Sequence, residues 1–140
     1  MRRIIPKILL ILLFHSFTST GSNRILYVDQ FFEILGNKKK ENKLLNFTVE
    51  NGFDKIILYD LHKVHKHYPL NDNTKNNILA KFIVKAKQNY GIKEVGGSGE
   101  SGDFFITAIH AYNLSRSRTV EKFDSYNLEY EFWKPDASKE

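Results

Sequence analysis

Asp124-Ser125-Tyr126-Asn127-Leu128-Glu129-Tyr130-Glu131-Phe132-Trp133 decides how this chain is read, because it combines strand periodicity with chemistry on one face. Successive side chains of a strand point to opposite faces. Asn127, Glu129 and Glu131 therefore share one side, and Tyr126, Leu128, Tyr130 and Phe132 the other. Two carboxylates and an amide stand in a row, each two residues from the next. A parallel strand covered on both faces would be apolar on both, so acids in line point to a wet interior such as the mouth of a barrel. An edge strand with one solvated face satisfies the same pattern. Trp133 follows Glu131 on the polar side, where its ring can stack on a sugar or cap the end of a barrel.

Working upstream, apolar runs alternate with helical patterns. Ile25-Leu26-Tyr27-Val28 reads as a first strand, and a helical stretch around Asn42 to Glu50 stops at Asn51-Gly52. Lys55 to Tyr59 reads as a second strand. After Asn71-Asp72-Asn73-Thr74, Ile78, Leu79, Phe82, Ile83, Ala86 and Tyr90 track a 3.6-residue period, and Gly91 closes that helix. Ile92 to Val95 gives a short third strand, a glycine-rich loop follows, and Phe104 to Tyr112 can form a third helix before the strand opened by Phe123. Strands alternating with helices predict an α/β fold with a parallel sheet and right-handed crossovers. Asp29, Asp60 and Glu131 then fall at the C-terminal ends of strands, the edge where βα barrels build their sites. A full barrel takes about 250 residues. Residues 22–140 suffice for about four βα units: half a barrel, a truncated barrel or a small open sheet.

The first residues stand apart. Met1-Arg2-Arg3 is basic, Ile8 to Phe14 contains an apolar run, and Ser16 to Ser22 is mostly small and polar, which is the layout of a secretory signal over residues 1–21. The run is short for a bilayer span, which needs about 20 residues, so contact with a membrane would come only through this segment left uncleaved. Removing Arg2, Arg3 and Lys7 takes the 21 basic residues to 18 against 16 acidic ones. That balance gives no reason to expect a nucleic-acid partner, which demands a positive face or stripe. The chain has no cysteine, so an exported form must rely on its core.

Asp124 to Glu131 resembles the DGxDxDxE signature on the fourth strand of the family 18 glycoside hydrolases, the chitinases and endo-β-N-acetylglucosaminidases. Glu94-Val95-Gly96-Gly97 is similar to that family's SxGG motif on the third strand. The resemblance implies the first half of a TIM-type barrel and a glycan containing N-acetylglucosamine as substrate. It implies Glu131 as the acid that protonates the glycosidic oxygen while the substrate's N-acetyl group attacks the anomeric carbon. Glu129 takes the place of the acid that orients the N-acetyl group, and Asn127 that of the aspartate before it. Ser125 replaces the signature glycine and Glu94 the motif serine. Trp133, Asp29, Asp60, Gly96 and Gly97 complete the expected sugar-binding set. The competing expectations are an inactive relative that binds glycan or another protein and a truncated gene product with no function of its own, and a half barrel also calls for a second half-barrel segment or a homodimer.

No cofactor is expected. Gly97-Ser98-Gly99-Glu100-Ser101-Gly102 satisfies the GxGxxG spacing, but it follows the third strand and carries an acid, against the context a dinucleotide fingerprint needs. His62, His65 and His67 with Asp60 nearby are metal-ligand types. Positions three apart meet on a helix and positions two apart on a strand, so no single regular conformation gathers all three, and a polar loop without metal is expected there.

Overall fold

The computed structural model describes residues 24–129. Four strands, β1 (Ile25–Val28), β2 (Lys55–Leu58), β3 (Glu94–Gly99) and β4 (Ser125–Leu128), form one parallel sheet in the order β1-β2-β3-β4. Tyr27 aligns with Ile57, Ile57 with Gly96, and Gly96 with Ser125. Between the strands lie α1 (Lys38–Glu50), α2 (Leu61–His67) and α3 (Asn77–Val84), the last running on into a π-type turn (Lys85–Asn89). After β3, α4 (Gly102–Phe104), a second π-type segment (Phe105–His110) and α5 (Ala111–Ser115) follow without a break. The chain is thus mixed α/β with a parallel sheet, as its alternation of patterns predicts.

The two faces of the sheet differ. Leu26, Val28, Ile56, Leu58 and Val95 share one face by parity, and all pack into the core with Phe31, Leu45, Leu79, Phe82, Ile83, Ile109 and Tyr112 from the helical layer. Ile57, on the other face, is buried but stands outside that core. A fully buried Leu, Ile or Phe stabilises by about 1.5–3 kcal/mol, so the helical face carries most of the apolar stabilisation.

Three segments depart from the sequence reading. The glycine run is strand: β3 extends through Gly99, where a loop was expected after Val95. A Cβ on Gly97 would lie 3.1 Å from Leu61, and one on Gly99 3.1 Å from Phe105. The helices press so closely on β3 that a Cβ at either position would require these side chains to give way. The histidine segment is helix, not loop. Leu61 and Val64, three apart, are each 1 % exposed, and the carbonyl of Asp60 accepts from the N–H groups of Lys63 and Val64. Burial of that apolar pair against the core decides for helix in an otherwise polar stretch. Finally, α1 begins at Lys38, ahead of the start expected around Asn42, with Asn37 accepting from Lys40 N–H as its cap.

Candidate functional site

Tyr59, Ser98 and Glu129 lie at or just past the ends of their strands on the face opposite the helices, and alternation puts Asn127 on the same side. The Asn127 amide donates to the Tyr59 hydroxyl and to Ser98 Oγ, both at 3.2 Å. Ser98 Oγ donates in turn to the carbonyl of Asn127. Burial, and then the carboxylate of Glu129 that accepts its proton, push the Tyr59 phenol up to about 12. The tyrosine hydroxyl thus takes a hydrogen bond from Asn127 and faces the Glu129 carboxylate.

This cluster borders a pocket of about 310 Å³ at the C-terminal edge of the sheet. The turn after β2 contributes Asp60 and His62, the segment after β3 contributes Glu100 and Ser101, and Phe104 supplies an apolar wall. Asp60 pairs with Lys63 at 3.0 Å, and His62 Nδ1 lies 3.6 Å from Glu100. The Ser101 hydroxyl accepts from Phe104 N–H and fixes the start of α4. Hydroxyls, amide and carboxylates beside one aromatic wall suit a polyhydroxylated ligand, and the C-terminal edge is where open α/β sheets bind ligands.

Gln30 and Asp60 each adopt positive φ, 51° and 58°, just after β1 and β2. Such a conformation costs a non-glycine residue about 1–2 kcal/mol. Both strained turns lie on the same edge as the pocket, where such outliers concentrate in functional proteins.

The residues singled out in the sequence are distributed unevenly. Glu129 and Asp60 line the pocket, and Asn127 stands behind it, bonded to the lining residues Tyr59 and Ser98. Asp29 lies on the same edge but turns back on its own loop, its carboxylate accepting from Gln30 N–H at 2.8 Å. Gly96 and Gly97 lie in mid-strand, one against Ser125 and Ile57, the other under Leu61. Ser98 and Gly99, the next residues, reach the pocket. Glu131 and Trp133 lie outside the described residues. His65 turns away from its neighbours: burial lowers its pKa, its Nδ1 accepts from Leu70 N–H at 3.0 Å, and its ring meets Phe104. Among the described residues no group of three His, Cys, Asp or Glu side chains is placed to hold a metal ion.

Sequence reasoning missed Tyr59, Ser98, His62, Glu100 and Phe104 as neighbours of the row on β4. A usable signal existed for two of them. Tyr59 is two beyond Ile57 and Ser98 two beyond Gly96, the same parity that groups Asn127 with Glu129. Comparison with family models, with curated proteins and with solved structures finds no match to this chain. No helix among the described residues is long and apolar enough to cross a membrane.

Proposed function

We propose that this is an exported glycoside hydrolase-like protein whose described residues form the first four βα units of a partial TIM-type barrel resembling family 18, and whose C-terminal edge binds glycans containing N-acetylglucosamine. The observation that carries this reading is the convergence of Tyr59, Ser98, Asn127 and Glu129 at the C-terminal edge of a parallel sheet ordered β1-β2-β3-β4. Sequential order is what a barrel requires, whereas doubly wound sheets reverse theirs at a switch point. In this reading Glu131 donates the proton to the leaving oxygen, Glu129 orients the substrate's N-acetyl group for attack on the anomeric carbon, and Trp133 stacks on a sugar ring. Tyr59 holds Glu129, and Asn127 holds Tyr59.

The test is hydrolysis of chitooligosaccharides and N-glycan cores. Glu131→Gln keeps the shape and removes the acid, so binding survives while cleavage falls by about 10²-fold or more, the scale of a positioned general acid. Glu129→Asp restores the family's residue and raises activity. Cleavage unaffected by Glu131→Gln refutes the mechanism. Export is checked separately: sequencing of the secreted protein begins at or near Ser22, and recovery of only full-length cytosolic chain refutes it.

A second reading, a non-catalytic glycan-binding module, is favoured by one observation. The Asn127 amide is engaged by Tyr59 and Ser98, so the residue in the place of the signature aspartate serves a fixed hydrogen-bond network. Glycan affinity lost on Trp133→Ala without any cleavage by the wild-type chain would select this reading.

A further inference from the structure

Arg116, just past α5, is 8 % exposed. Its guanidinium donates to Asn77 Oδ1 at 2.8 Å and to the carbonyl of Asn73 at 3.0 Å, and it lies 5.5 Å from the centre of the Tyr112 ring. All three partners are neutral, and Nε is buried with no partner at all. Acids of the surrounding wall are engaged elsewhere, Glu121 with Arg118 at 3.4 Å and Glu41 with Lys85 at 3.0 Å. Among the described residues no carboxylate lies within ion-pair distance of Arg116. A buried cation is costly unless it is paired, so the site lacks a counter-charge.

Arg116 borders a shallow groove of about 470 Å³ between α3 and the 3-10 turn Thr119–Glu121, which Lys81, Lys85, Arg118 and Glu121 also line. Lys85 and Arg118 are neutralised by their glutamates, whereas Lys81, like Arg116, has no ion pair among the described residues. Two of the positive charges that line the groove are left without an ion pair. We infer that this groove binds a phosphate dianion. The charge selects a dianion over a single carboxylate, and beyond the bonds to Asn77 and Asn73 each terminal nitrogen of the guanidinium fork keeps one further N–H to donate. The groove shares no lining residue with the pocket at the C-terminal edge, so the inference is independent of the glycan reading.

The test is titration of the full chain with inorganic phosphate at constant ionic strength, followed by NMR of backbone amides and of the arginine Nε–Hε groups. The expected result is saturable movement of the Arg116 Nε–Hε signal and of the Lys81 and Arg118 amides, with acetate binding at least tenfold more weakly. Lys81→Gln, an exposed substitution that leaves the packing intact, weakens phosphate by threefold or more. Arg116→Lys keeps the charge but loses the fork, and weakens it by tenfold or more; if that variant does not fold, Lys81→Gln decides. Shifts that never saturate, shifts spread over all surface lysines, acetate as tight as phosphate, or affinity unchanged by Lys81→Gln would each overturn the inference.

Discussion

The two ends of the sheet are built to different specifications. At the N-terminal end three ion pairs flank the strands: Lys55 with Glu94, Lys93 with Asp54 at 3.1 Å, and Lys87 with both oxygens of Asp124 at 2.8 Å. The Asp124 carboxylate also accepts from Val95 N–H, tying β4 to β3 at its start. At the C-terminal end hydroxyls and an amide take the place of ion pairs and two turns hold positive φ, and each end borders a pocket, about 310 Å³ here and about 490 Å³ beside Lys55, Lys93 and Asp124. One end is tied by charge pairs and the other by a network of neutral hydrogen bonds. Asp124 belongs to the stretch that resembles a catalytic signature, yet its bonds are structural.

Asp124→Ala tests this division with the largest expected effect on stability. It leaves Lys87, 11 % exposed in its side chain, without its carboxylate and Val95 N–H without its acceptor. Hydrogen bonds to charged groups are worth about 1.5–3 kcal/mol, so a loss of about 2 kcal/mol is expected in urea unfolding, with glycan affinity of the folded fraction unchanged. A loss of affinity equal to that of a pocket variant would erase the distinction between the ends.

Tyr59→Phe is the converse. It removes a hydroxyl at a partly exposed position, so the expected cost is about 0.5–1 kcal/mol. Glu129 loses its donor and Asn127 an acceptor, and ligand affinity drops several-fold. A Tyr59→Phe protein as tight-binding as the wild type would show that the hydroxyl network has no part in the site.

The smallest effects are in the pH dependence, where the two ends respond in opposite directions. Lys55, and after it Ser125, holds Glu94 below the usual glutamate range. The stability this gives is present above the ordinary glutamate pKa of about 4.3 and is lost as pH falls through the lowered value. Tyr59 is raised from 10.0 to about 12, so its contribution is present below pH 10 and is lost as pH rises towards 12. Lys55→Met should flatten the acid limb of a stability profile, and Tyr59→Phe should remove one late-titrating phenolate from the ultraviolet titration. Tyr112 also titrates late, because burial raises its pKa, and Tyr112→Phe separates the two. An alkaline limb unchanged by Tyr59→Phe would count against the hydrogen bond to Glu129.

Much of the sheet was legible. β1 begins and ends where its apolar run does, β2 falls one residue short of the expected end at Tyr59, and Asn127 and Glu129 share a face as their spacing requires. The π-type turn Lys85–Asn89 lies within the apolar repeat that predicted a single helix through Tyr90. Gly91, with φ 69°, ends that repeat as expected. The glycine run was misread because glycine marks loops by default, and only contact with Leu61 and Phe105 gives a reason to place it in a strand.

By itself the sequence determined the α/β class, the order of strands and helices and the parity of β4, because side-chain alternation and the 3.6-residue repeat are local properties of the backbone. Tertiary structure alone decided that β3 continues through Ser98 and Gly99, that His62 to His67 is helix, and that Asn127 meets Tyr59, 68 positions away in the chain. Those outcomes depend on the space and partners supplied by distant residues: a strand of glycines forms where helices crowd it, a polar helix where Leu61 and Val64 find a core, and a site where strand ends from separate segments are brought side by side.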